Sequence, residues 1–141
     1  MGRPRQPALA AEIERAAAFR SALRGFLVRT EEAAADVGLT PQRYNLLLLI
    51  KAGRGERSTM SELSTRLSLR QTAVTELVRR AEEAGLVGRE PSTEDRRVSL
   101  LRLTPEGDRR LLAAFVALRE DRRALIRALD EARARLRDTG A

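Results

Sequence analysis

The stretch that most restricts how this chain can fold is residues 60–85, MSELSTRLSLRQTAVTELVRRAEEAG. It carries two short apolar stripes. In the first, Leu63 and Leu67 lie four apart, with Ser61 in the capping position. In the second, expected over about residues 71–84, Val74, Leu77, Val78 and Ala81 share one helical face. Gly85 ends this second helix as a C-cap glycine does. Only the turn SLR separates the two pieces, and short helices joined so tightly form a helix-turn-helix.

The flanks extend this unit on both sides. Leu9, Ile13, Ala16, Phe19, Leu23, Phe26 and Leu27 recur at three- and four-residue steps, so one helix is expected over residues 8–38, stopped by Gly38. Thr40 then caps a second helix, TPQRYNLLLLIKA, with Pro41 at the position where its missing N–H costs nothing. The run of aliphatics in that helix implies burial on most sides, and AGRGERS reads as a loop. After the helix-turn-helix, LVGRE and RVSLLRL flank PSTEDR, whose Pro91, Ser92 and Asp95 supply turn chemistry, so a hairpin is expected over about residues 86–103. In its second strand Leu100 and Leu101 are adjacent and must point to opposite faces. Thr104 and Pro105 start a last helical region, residues 105–138, in the way that Thr40 and Pro41 start the second helix. There Leu111, Phe115, Leu118, Arg122, Leu125, Leu129, Ala132 and Leu136 follow a heptad seam. That seam suits core packing within one subunit or a partner helix from another. A long terminal helix with little of its own chain left to cover it favours the second.

At 141 residues the chain is expected to form one domain, residues 1–141, with one core. It holds no cysteine and no histidine. Disulfides, thiolate nucleophiles, thiol-oxidation sensing and the commonest zinc ligands are therefore excluded, and so is the usual general base near neutral pH. No nucleophile–base pair, glycine-rich phosphate loop or metal cluster is visible, so neither an enzyme nor a cofactor is expected. No apolar run approaches the 18 or so residues a membrane span needs. The basic opening MGRPRQP leads into no signal segment, and Gln6 breaks the N-myristoylation pattern, so the expected location is the cytoplasm. The net charge is +7, from 27 basic against 20 acidic residues, and Lys51 is the only lysine. Arginine suits phosphate oxygens and base edges because its planar fork donates two parallel hydrogen bonds. A biased composition would give the same bulk excess, so position has to decide which arginines matter.

Helix-turn-helix, hairpin with arginines at its tip, then a long helix is the order of a winged-helix domain. The sequence resembles the MarR family of bacterial transcriptional regulators. LTPQRYNLLLLI is similar to the family's second helix, MSELSTRLSLRQTAVTELVRRAEEAGLVGRE to its helix-turn-helix and first wing strand, and DRRVSLLRLTPEG to its wing and the start of the next helix. Asp95, Arg97, Leu103, Thr104 and Gly107 stand at family spacing. The resemblance implies an α+β, mostly α, fold: a winged helix-turn-helix over residues 39–104 between long dimerisation helices, residues 8–38 and 105–138. It implies a homodimer that places each recognition helix in a major groove and each wing in the neighbouring minor groove of double-stranded DNA. Arg97 falls where the family's minor-groove arginine sits, Asp95 on the acidic residue that helps to hold it, and Arg96 beside the backbone. A repressor released from a pseudo-palindromic operator by a small aromatic or phenolic molecule is the implied function, with Phe19, Leu23, Phe26 and Tyr44 as candidates for lining the ligand's space; these four equally suit a core.

Three departures from the family pattern stand out. Arg70 occupies the N-cap of the recognition helix and has no side-chain oxygen for the exposed N–H groups, so either a neighbour such as Ser68 caps it or those groups are left for a phosphate. Ala81 replaces a usual leucine. The region after Gly107 is short and lacks a clear break, so it reads as one helix or two.

Opposite its apolar stripe the recognition helix carries Gln71, Thr72, Thr75, Glu76, Arg79 and Arg80. Gln71, Thr72 and Thr75 are expected near base edges, and Arg70, Arg79 and Arg80 near phosphates. A solvated face with Glu76–Arg80 pairing is the bland alternative. From Arg70 to Arg97 six arginines (70, 79, 80, 89, 96, 97) balance six acids (76, 82, 83, 90, 94, 95), so that segment has no net charge. Specific positioning, with the +7 of the whole chain aiding encounter, describes it better than bulk attraction. The competing readings are a winged helix used as a protein-interaction module and a non-specific architectural DNA-binding protein.

Overall fold

The structure, a computed structural model, describes the backbone of residues 5–138 and the side chains of residues 7–135. The expected role of Leu136 in the seam, and the side chains of the basic opening through Gln6, lie outside the described residues. In chain order the elements are α1 (Arg5–Asp36), α2 (Pro41–Lys51), a short 3-10 turn (Arg54–Glu56), β1 (Arg57–Ser58), α3 (Met60–Leu67), α4 (Gln71–Glu83), β2 (Val87–Pro91), β3 (Ser99–Leu103), α5 (Pro105–Ala117) and α6 (Arg119–Asp138). The α+β, mostly α, winged-helix class is borne out. The three strands form one antiparallel sheet in the order β1-β3-β2.

The chain gathers into two compact units, one made of Ala33–Val116 and the other of Met1–Glu32 with Ala117–Ala141. Among the described residues every buried side chain except Leu118 belongs to the first of these. In that lobe α2 contributes Tyr44, Leu46, Leu47 and Ile50, α3 Leu63, α4 Val74, Val78 and Ala81, β3 Leu101 and α5 Leu111 and Ala114. Each fully buried aliphatic side chain is worth about 1.5–3 kcal/mol relative to exposure, so these stripes are what hold the short helices in place. Leu101 is fully buried while its neighbour Leu100 is half-buried on the other face, as strand alternation requires.

Local chemistry fixes the element ends. Thr40 accepts a hydrogen bond from Arg43 N at 3.1 Å and Pro41 opens α2. The cap of α3 is Thr59, not Ser61: Thr59 Oγ1 accepts from Glu62 N and the Glu62 carboxylate accepts from Thr59 N, a reciprocal capping box. Gly85 takes φ +73 just past α4, where a side chain would be strained. AGRGERS is not simply a loop, because Arg57 and Ser58 pair with Arg102 and Leu101 as a third strand. Two residues carry no readable periodicity, and their pairing comes from more than forty positions away. The second hairpin strand starts at Ser99, so Arg97 and Val98 belong to a longer wing loop, residues 92–98. The C-terminal region is two helices, interrupted at Leu118 alone.

The start of α5 shows why Thr104 and Gly107 stand together. Thr104 Oγ1 donates to Gly85 O at 2.6 Å and accepts from Gly107 N at 3.0 Å, while Thr104 N donates to Leu86 O at 3.0 Å. A Cβ at position 107 would lie 2.1 Å from Leu86 O, so only glycine allows α5 to start this close to the end of α4.

In the other unit several large apolar side chains stay open. Leu9, Ile13 and Leu27 of α1 are more than half exposed, as is Ile126 of α6. Arg29 Nε lies 3.5 Å from Asp121 Oδ1, an ion pair between α1 and α6.

Candidate nucleic-acid interface

Burial of Val74, Val78 and Ala81 turns the opposite side of α4 to solvent, and Gln71, Thr72, Thr75, Arg79 and Arg80 are all exposed there. The first turn has no side-chain cap. Ser68 does not serve as one, because it ends α3 in the left-handed region at φ 54. Ala73 N donates to Arg70 O at 3.0 Å, so the N–H groups of Gln71 and Thr72, at the positive end of the helix dipole, are what the first turn leaves for an acceptor from outside. Arg70 beside them makes no ion pair among the described residues.

The rest of the face is partly engaged. Thr75 Oγ1 donates to Gln71 O at 2.8 Å, so its hydroxyl hydrogen is in use and it offers outward only lone pairs and a methyl group. Arg79 grips Glu76 through Nε at 2.9 Å and Nη2 at 2.7 Å, and its Nη1 pairs with Glu83. Arg80 Nε donates to the same Glu76 Oε1 at 2.9 Å. Hydrogen bonds from Arg79 first and Arg80 second hold the Glu76 carboxyl down at about 2, and the same contacts raise Arg79 above its ordinary value. The Glu76–Arg80 pairing of the bland alternative is present as one arm of a larger cluster.

The wing is organised by two side chains. Ser92 Oγ accepts from Glu94 N at 3.2 Å and Asp95 N at 3.4 Å, and Ser92 N donates to Val98 O at 2.9 Å. Asp95 Oδ1 accepts from Arg97 N at 3.0 Å, whereas the Arg97 guanidinium is 3.9 Å away at Nε and the side chain is 94% exposed. Asp95 therefore fixes the Arg97 backbone and leaves its fork in solvent. Arg96 is exposed and makes no ion pair among the described residues.

Ion pairs that spacing did not reveal fix the wing to the lobe. Arg57 Nε of β1 lies 2.6 Å from Glu90 Oε1 of β2, and Arg89 Nη2 lies 2.8 Å from Glu82 at the end of α4. Lys51 sits between Asp108 at 2.6 Å and Glu56 at 3.1 Å, with Asp108 the larger cause of its raised pKa. Arg57–Glu90 and Lys51–Asp108 join residues 33 and 57 positions apart, and Arg89–Glu82 and Lys51–Glu56 cross from one element to the next, so helical spacing marked none of them. Among the described residues no group of three or more His, Cys, Asp or Glu is placed to hold a metal ion.

The four candidate ligand residues are not gathered in one place. Phe19 lines an apolar recess of about 370 Å³ with Ala16, Leu129 and Ala132, and Phe26 a mixed one of about 310 Å³ with Ala124 and Leu125 beside Arg29 and Asp121. Leu23 lines neither of these and is exposed, while Tyr44 is buried in the core of the lobe.

Such a surface, an open helix face with an uncapped N-terminus and a solvent-borne arginine on a braced loop, can donate to phosphate oxygens and base edges. Residues 37–98 match the MarR family. The transcriptional repressor MdtR of Bacillus subtilis (strain 168) is 35% identical over 77 residues, which is 55% of this chain and 48% of that protein, so the match spans about half of its length. The crystal structure of YusO from Bacillus subtilis is 26% identical, covering 89% of this chain and 84% of that one, with a TM-score of 0.60. A mutant of MarR from E. coli, solved in complex with operator DNA, shares the fold at 19% identity and a TM-score of 0.67, covering 85% of this chain and 89% of that one. No described helix is long and apolar enough to cross a membrane.

Proposed function

Since residues 37–98 match the MarR family, we propose that this chain is a member of it and a sequence-specific DNA-binding transcriptional regulator, a repressor that binds a pseudo-palindromic operator as a homodimer in the cytoplasm. The observation that carries this reading is the exposed face of α4 opposite its buried Val74, Val78 and Ala81. In the reading, α4 enters a major groove with Gln71, Thr72 and Thr75 toward base edges. Gln71 can pair with adenine, and the Thr75 methyl can meet a thymine methyl. Arg70 and the open first turn take a phosphate, and Arg79 and Arg80 take others. The 94% exposure of Arg97 supports its insertion into the adjacent minor groove, with Asp95 as wing support and Arg96 beside the backbone.

The homodimer rests on the open apolar side chains of α1 and α6, residues 8–38 and 105–138 being the dimerisation regions. Leu9, Ile13, Leu27, Ile126 and Leu129 are each 41% exposed or more, a surface that a second copy would cover. The two-fold arrangement sets half-sites about one DNA turn apart. Release by a small aromatic ligand, as the family resemblance implies, would use Phe19, Leu23 and Phe26, with Tyr44 reached only if the lobe opens.

Fluorescence anisotropy with duplexes from the chain's own promoter region tests this. A preference of about a hundredfold or more over random sequence is expected, within the range specific regulators reach. Equal affinity for both would leave a non-specific architectural protein, and absence of DNA binding a protein-interaction module.

A further inference from the structure

We propose that Glu76 makes the recognition helix selective by neutralising Arg79 and Arg80 while holding their forks in fixed directions, so that arbitrary DNA is bound weakly. This rests on the DNA-binding reading above. Glu76 is the hub of the α4 surface: it accepts three N–H bonds from two arginines, and Glu83 takes a further one. The four side chains carry two positive and two negative charges on about two exposed turns of helix, with side-chain exposures of 45% for Glu76, 52% for Arg79 and 62% for Arg80.

Two consequences follow from this geometry. Attraction to arbitrary DNA is a matter of net charge near phosphates, and here the local sum is zero. Directional contact depends instead on which N–H groups remain. Arg80 uses only Nε on Glu76, so both of its terminal nitrogens are free to donate, and each terminal nitrogen of Arg79 keeps a second hydrogen. Glu76 thus cancels the long-range pull and keeps the short-range fork, which is useful only where a phosphate stands at a set position. Its carboxyl, held at about 2 by the hydrogen bonds from Arg79 and Arg80, stays ionised near neutral pH.

The same pattern occurs on α5, where Glu106 accepts from Arg109 and Arg110. This supplies a control with the same charge change and the same three- and four-residue spacing, though without a counterpart of Glu83. Wild type, Glu76→Gln and Glu106→Gln would be compared by anisotropy over a range of salt, on a short random duplex and on the best site recovered by wild type from a randomised pool. Glu76→Gln is expected to bind random duplex about three- to tenfold more tightly, with log K falling more steeply against log salt by up to about one. Affinity for the selected site should change by less, so the specificity ratio falls; Glu76→Ala should behave likewise. Unchanged random binding and salt slope in Glu76→Gln would overturn the proposal. So would an equal rise in Glu106→Gln, which would assign the effect to net charge alone. A loss of selected-site affinity with random binding unchanged would make Glu76 a base reader instead. If wild type recovers no site and binds no duplex, it is the DNA-binding reading itself that fails.

Discussion

Replacing Thr104 with alanine removes one hydroxyl and two hydrogen bonds. The hydroxyl caps α5 through Gly107 N and ties the helix start back to Gly85 O, just past the end of α4. Loss of an N-cap costs about 0.5–2 kcal/mol. The second bond, at an exposed carbonyl, adds about 0.5–1 kcal/mol, the lower part of the usual range, because water can replace the donor. The sum is about 1–3 kcal/mol, a large share of the stability of a small lobe. Thr104→Ser keeps the oxygen in place and should recover most of it. Urea unfolding followed by circular dichroism at one fixed protein concentration reads the difference, since association makes apparent stability concentration-dependent. With a slope of about 1–3 kcal/mol/M, the alanine midpoint should fall by roughly 0.5–2 M and the serine midpoint by much less. Indistinguishable alanine and serine midpoints would refute the assignment of the hydroxyl as the clasp. A distorted β2–β3 hairpin in the alanine variant, seen by NMR, would show that the backbone bond from Thr104 N to Leu86 O had been lost too.

Three further outcomes are expected. Arg97→Ala should leave thermal unfolding unchanged, its side chain being 94% exposed, while weakening binding to a selected operator by about 1–3 kcal/mol in a titration. Ile126→Asp or Leu129→Asp places a charge on an exposed apolar position, 57% and 41% open, and should shift the sedimentation of the protein from the proposed dimer to monomer. Acid should destabilise the protein through Glu76 and Glu106, each held at about 2 in the folded state against an ordinary 4.5. The unfolded chain binds those protons first, so their stabilising effect is present above about pH 5 and is lost as pH falls toward 2. Thermal melts of Glu106→Gln between those limits should fall less steeply with acidification than wild type.

How much of this was legible in advance depends on how far apart the deciding residues lie. The faces of α3 and α4 were readable because Leu63, Val74, Val78 and Ala81 repeat at helical spacing, and Thr40 with Pro41 marks a helix start within two residues. The wing loop was readable in its turn residues but not in its length, since Arg97 and Val98 have strand-like neighbours and only pairing shows where β3 begins. Thr59 and not Ser61 caps α3 because it stands three residues before Glu62, the spacing of a capping box. The break at Leu118 has neither glycine nor proline to announce it.

By itself the sequence determined the order of the first four helices and the hairpin, the helix-turn-helix, the placing of Asp95 and Arg97 in the wing, and the absence of thiol and imidazole chemistry. Those properties live in residue identity or in repeats a few positions long. Tertiary structure decided the rest: that Leu111 and Leu118 are buried while Leu129 of the same seam is open, that Tyr44 is core, that Thr104 reaches back to Gly85, and that β1 exists at all. An apolar stripe specifies that something must cover it, not what does. Which segment supplies the cover is settled only when residues distant along the chain meet, and no local period records that meeting.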